Sequence, residues 1–242
     1  MTALTNVSPG RLFTIPEEKW TAINKRVGEA SSASGVTGYI GQYIPEFDLL
    51  VTVCKLWQEE TFDRLINQSE AISTYAYYAI DRFQWLLDTV NKLNAEEHQL
   101  PESIQDQTIG LLRGLSEQTD TLCQTVTSTA EQVRNFLATN RDVDFQLIRY
   151  KEKLGIFWEP LEEIVTTMDY AARQESQDWC VLSENLGQFV ATVQDITFPV
   201  FRGLDIETSL NNWKNLKTEC DLFRAISADQ KRYWSAGFAD IN

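Results

Sequence analysis

A mainly apolar stripe between Leu65 and Leu93 recurs in alternating steps of four and three: Leu65, Ser69, Ile72, Ala76, Ala79, Phe83, Leu86, Val90 and Leu93. That spacing is the seam of a helix that pairs with others along its length. Ile66, Ile80 and Leu87 lie beside the seam and widen it beyond what one partner would cover, which predicts several packed helices. Upstream, Phe47, Leu50, Cys54, Trp57 and Thr61 continue the face, so one long helix is expected from Phe47 to Leu93. Two steps of four meet at Thr61, a stutter that locally relaxes a supercoil.

The remaining segments read as partners for that face. Pro16-Glu17-Glu18 suits a first helical turn, and the short helix it starts runs to about Ala30, before Ser31-Ser32-Ala33-Ser34-Gly35. Residues 1–15 are expected to be irregular, and Val36 to Ile44 is the one candidate for non-helical order, which its glycines weaken. A second long helix is predicted over about 102–139, with a seam of Ile104, Leu111, Leu115, Leu122, Val126, Val133 and Phe136. Its Thr-rich strip from Ser116 to Thr129 either hydrogen-bonds back to its own helix or marks a segment that re-pairs.

Asn140 to Asp144 reads as a short polar turn. A third helix follows from Leu147 to Ile196 in unbroken heptads, and Gly155 and Pro160 predict a kink in it without a change of direction. Thr197 to Gly203 closes it. The fourth, from about Asp205 to Trp234, carries Ile206, Leu210, Trp213, Leu216, Cys220, Phe223 and Ile226, and the tail 235–242 is expected to fray. The expectation is an all-α chain forming a single elongated domain over 1–242, an antiparallel, coiled-coil-like bundle of four to five long helices.

Composition agrees with a packed core: 43% of residues are hydrophobic and 11% aromatic. Charge narrows the partners. With 21 Lys and Arg against 35 Asp and Glu, the formal charge of -14 repels phosphate backbones and anionic lipid, so neither nucleic acid nor a charge-bound membrane is expected. No run near twenty apolar residues exists, so direct membrane insertion is not predicted, and Met1 to Pro16 lacks the features of a secretory signal. A cytoplasmic protein, or one released without a signal peptide, is expected. Cys54, Cys123, Cys180 and Cys220 fall in different helices at wide spacing, most simply read as buried thiols in a reducing compartment, with nothing in the spacing to suggest a disulfide.

Candidate chemistry is sparse. The single histidine, His98, lies in a polar break beside Glu96 and Glu97, and one histidine cannot supply the paired Glu-x-x-His motifs of a di-iron bundle. Cys-x-x-Cys, a nucleotide-binding glycine loop and Gly-x-Ser-x-Gly are all missing. Carboxylate pairs such as Glu59-Glu60 and Glu162-Glu163 fit solvated helix faces. No catalytic, cofactor-binding or metal-binding residue is assigned, and the chain reads as a non-enzyme. The aromatics remain. Tyr75, Tyr77, Tyr78 and Trp85 crowd one part of the main helix, and Phe157, Trp158 and Trp179 stud the third. Most suit a core, but Tyr77 falls opposite the seam. Tyr77, Trp85, Phe198, Phe201 and Trp213 are the candidate interaction residues, the Phe198-Pro-Val-Phe201 linker serving either as a knob or as a packed turn.

Long amphipathic helices and a terminal helix written Leu210-Asn-Asn-Trp213-Lys-Asn-Leu216 resemble the α-helical pore-forming toxins of the cytolysin A, haemolysin BL and xenorhabdolysin group. That resemblance implies a soluble helical bundle acting through helix packing with co-encoded toxin components. Members of the group carry an apolar head, whereas the predicted connection here, Asn140-Arg-Asp-Val-Asp144, is short and polar. The resemblance therefore implies an accessory component and not the piece that perforates the bilayer. The alternative is an intracellular coiled-coil scaffold or regulator that self-associates and is unrelated to membranes.

Overall fold

The computed structural model describes residues 9–33, 37–93, 101–154, 159–192 and 205–235. Helix α1 spans Glu17–Ser32, α2 is the short Thr37–Gly41, and α3 is Phe47–Leu56. A π turn at Trp57–Thr61 joins α3 to α4, Phe62–Lys92. Helix α5 covers Glu102–Leu154, α6 covers Glu162–Thr192 and α7 covers Ile206–Gln230, with a 3-10 turn at Lys231–Ser235. Among the described residues every regular element is helical. None of these helices is long and apolar enough to cross a membrane. His98, Phe157, Trp158 and the tail from 236 lie outside the described residues.

The seam of α4 is buried as its spacing requires, from Leu65 through Ser69, Ile72, Ala76, Ala79 and Phe83 to Leu86. The stutter before it is where the π turn sits. A π turn takes in more residues per turn than an α turn, so it carries Trp57, Thr61 and Leu65 onto one side, and all three are buried.

Two sequence expectations are overturned. Asn140 to Asp144 is not a turn but part of the 53-residue helix α5. The reason is that two of its polar residues, Asn140 and Asp144, face inward, while Arg141 and Asp142 stay exposed. Asn140 is fully buried and donates to the Phe136 carbonyl, while Asp144 is buried and paired with Arg26. Pro160 does not kink a continuous helix either: α5 ends at Leu154 and α6 begins at Glu162, just after the proline that would have left a gap in the ladder. With the connection relocated, the polarity of Asn140 to Asp144 has no bearing on a lipid-entering head. Thr37–Gly41, within the one candidate stretch for non-helical order, forms the short helix α2.

The chain divides into two compact units. Unit 1 comprises Met1–Gly10, Ser69–Thr127 and Gln174–Asp221; unit 2 comprises Arg11–Gln68, Ser128–Arg173 and Leu222–Asn242. In unit 1, Tyr75 of α4 meets Trp179 of α6 and Trp213 of α7 edge-on, with centroids 5.6 and 5.2 Å away, and its hydroxyl bonds Thr119 of α5 at 2.7 Å. Burial pushes that hydroxyl's pKa up, against the opposing pull of the Thr119 hydrogen bond and the Arg82 charge. Thr119, Thr121 and Thr125 also bond back to carbonyls four residues earlier, so part of the Thr-rich strip is satisfied within its own helix.

Glu175 is a buried acid: its Oε1 accepts from the Gly10 N–H and the Trp179 indole. Gly10 has φ +97 and lies against Leu216, where any Cβ would collide.

Cys123 and Cys180 form a disulfide, the reading that the wide spacing left open beside the simpler one of buried thiols; Cys54 and Cys220 are buried thiols. Burial raises the pKa of Cys54 far above the ordinary thiol range, more than Arg26 lowers it, which keeps the group protonated and unreactive. Around the disulfide, Asp120 meets Ser183 and Thr127 meets Ser176: as one number rises the other falls, the register of two helices running in opposite directions. Replacing Cys123 and Cys180 together by serine is expected to lower the unfolding free energy by about 2–4 kcal/mol. Denaturant titration checks this, because the wild type in reductant should move to the same midpoint as the double variant. Unchanged midpoints in both would show that the bridge adds nothing.

In unit 2, Phe13, Trp20, Phe62 and Phe223 make a run of ring contacts with centroids 5.0 to 6.3 Å apart. Asn24 sits beside them as a shared acceptor: its Oδ1 takes the indole N–H of Trp57 at 3.0 Å and of Trp234 at 2.9 Å. Gly28 lets the 3-10 turn approach α1, since a Cβ there would strike the Tyr233 carbonyl. Arg26 pairs with Asp144 and donates to the Glu159 carbonyl, while Asp144 Oδ2 accepts the Leu161 N–H at 3.0 Å. One buried ion pair thus ties α1, α5 and the start of α6.

Candidate functional site

Two surfaces stand out, one in each unit. The first is on α4 in unit 1. Its buried seam leaves the opposite side to solvent, and there Tyr77 is 60% and Tyr78 45% exposed, their rings 5.8 Å apart. Arg82 lies over the Tyr78 ring at 5.4 Å, a cation–π contact, and donates to the Tyr78 carbonyl. Trp85, seven residues after Tyr78 and so on the same side, is half-buried. The result is an aromatic stripe with a fixed cation, able to stack on and donate to a partner's surface.

The second surface is a cleft between α5 and α6 in unit 2, about 450 Å³ in volume. Arg134 and Arg141 line it from α5, and Asp169 and Arg173 from α6. Asp169 accepts from Arg134 Nε at 3.1 Å and from Arg173 Nε at 2.9 Å. Leu137 and Val165, both buried, form its floor.

Of the five residues expected to mediate interaction, the structure puts Tyr77 and Trp85 on the α4 surface. Trp213 is only 7% exposed and is spent on packing against Tyr75, so its place in the Leu210 to Leu216 pattern has a core explanation. Phe198 and Phe201 lie outside the described residues. Tyr78 and Arg82 complete the stripe, and their spacing of four was the signal that could have joined them to Trp85. The arginine cleft was missed altogether. Arg134 and Arg141 are one heptad apart, but only the pairing of α5 with α6 brings Asp169 and Arg173 to them.

Among the described residues no group of three or more His, Cys, Asp and Glu side chains is placed to hold a metal ion. The chain matches no family model, no curated protein and no solved structure, so its site is read from its own geometry.

Proposed function

We propose that the chain is a non-enzymatic helical protein that binds other helical proteins, as an accessory component of an assembly of the α-helical pore-forming toxin type. The carrying observation is the exposed Tyr77–Tyr78 pair on α4, with Arg82 fixed over it. Aromatic and arginine side chains dominate the energetics of protein interfaces, and two large exposed rings side by side have no role in the core beneath them. The architecture that goes with this reading is an antiparallel, coiled-coil-like bundle of four to five long helices, and the opposed register of α5 and α6 in unit 1 supports it.

The Cys123–Cys180 bridge favours a protein that works in oxidising surroundings over an intracellular scaffold. It also limits how the bundle rearranges. Exchange of helix partners on assembly would leave α5 and α6 joined and move α4 and α7, held together in unit 1 by Tyr75–Trp213 and Ser73–Asp221.

The test is to mix the purified chain with the helical proteins encoded beside it and measure complex formation and lysis. Binding is expected, and Tyr77→Ala with Tyr78→Ala should weaken it by about thirtyfold or more while leaving the melting temperature in place. Self-association with no affinity for any neighbour would support the scaffold instead, and no effect on lysis would remove the toxin connection.

A further inference from the structure

The cleft in unit 2 carries three guanidiniums, Arg134, Arg141 and Arg173, against two carboxylates, Glu131 and Asp169, in a chain of formal charge -14. Its volume of about 450 Å³ lies in the range of small-molecule sites. Asp169 takes one oxygen to each of two arginines, and in both cases the donor is Nε. A guanidinium has five N–H donors in a rigid fork, so each is oriented through a single N–H and keeps its four Nη–H donors for something else. Among the described residues no other hydrogen bond engages Arg134 or Arg173. Arg141 is anchored still less: its Nε is 3.9 Å from Asp142, beyond hydrogen-bond reach.

We infer that this cleft binds a small phosphate-bearing molecule, its phosphate seated among Arg134, Arg141 and Arg173. A single carboxylate offers two oxygens and one charge, which Asp169 already supplies to two of these arginines. A phosphomonoester brings three acceptor oxygens and close to two charges, which suits three guanidiniums lining one cleft. Nor does the acidic surface forbid it. Charges are screened over about 8 Å at physiological salt, so a long polyanion is repelled by the whole molecule whereas a small anion in the cleft responds to the arginines around it. The buried floor of Leu137 and Val165 leaves room for an apolar or planar remainder beside the phosphate. This site is independent of the partner-binding surface on α4.

Calorimetry on the intact chain tests it, with glycerol phosphate, inorganic phosphate and citrate as probes, each in buffer brought to one ionic strength with sodium chloride. Saturable binding of glycerol phosphate and inorganic phosphate is expected, with citrate weaker. Arg134→Gln and Arg141→Gln should each lower the affinity by about tenfold or more, the loss of one charge-assisted hydrogen bond. Arg64→Gln, which removes an arginine paired with Glu60 elsewhere in unit 2, should leave it unchanged. Arg141 makes no close ion pair, so its variant should melt as the wild type does even if Arg134→Gln does not. No saturable heat, an equal loss in Arg64→Gln, or citrate binding as tightly as the phosphates would overturn the assignment.

Discussion

Asp144→Ala is expected to lower the unfolding free energy by about 3–5 kcal/mol, because it leaves the buried Arg26 guanidinium only the partly exposed Glu29, 3.6 Å from its Nε, as a counter-charge. Both partners are nearly out of solvent, Arg26 at 3% and Asp144 at 4% exposed. The carboxylate does two tasks there. Oδ1 faces Arg26, and Oδ2 takes the N–H of Leu161, whose own carbonyl accepts the first bond of α6 from Val165. Asp144→Asn keeps an acceptor for Leu161 and loses only the charge, so its cost should fall between those of wild type and alanine. Arg26→Met combined with Asp144→Leu should recover much of the loss, since a hydrophobic replacement of a whole pair is often neutral. Urea midpoints read all three. An Asp144→Ala change under about 1 kcal/mol would mean that water reaches Arg26 after all.

The same residue explains why the sequence misled. A polar run of Asn140, Arg141, Asp142 and Asp144 looks like a turn when every polar side chain is assumed to face water. Yet Val133, Leu137, Asn140, Asp144 and Leu147 keep alternating steps of four and three, and all five are buried. The register was unbroken; what it could not show was Arg26, 118 residues away, waiting for Asp144.

Misplacing that turn also hid the disulfide. A reversal at 140–144 would set Cys180 well past Cys123, whereas the two lie in the register shared by Asp120–Ser183 and Thr127–Ser176. What was legible was what one helix can state about itself. The α4 seam, the stutter at Thr61 and the outward Tyr77 each follow from spacing along a single element. Trp213 and the arginine cleft depend on which helix lies opposite, and one sequence does not say.

Trp57→Ala is the other substitution with a large expected cost, about 3–5 kcal/mol for removing a fully buried indole from a packed core. Trp57 opens the π turn, with no exposed surface, and its ring lies 4.2 Å from Phe136 and 6.0 Å from Phe62. Its N–H is a smaller part of the total. Asn24 Oδ1 still has Trp234 after the change, and Asn24 Nδ2 donates to the Trp20 carbonyl, so no oxygen or nitrogen of Asn24 is stranded. Trp57→Phe should therefore cost much less than alanine, since it keeps a ring against Phe136 and gives up one neutral hydrogen bond worth about 0.5–1.5 kcal/mol. Phe136→Ala tested alone and with Trp57→Ala completes a cycle. Because the two rings share one site, the double variant should lose less than the two singles added together. Strict additivity would show that the rings do not support one another, and that the π turn is held by its backbone and not by the aromatic it delivers to the core.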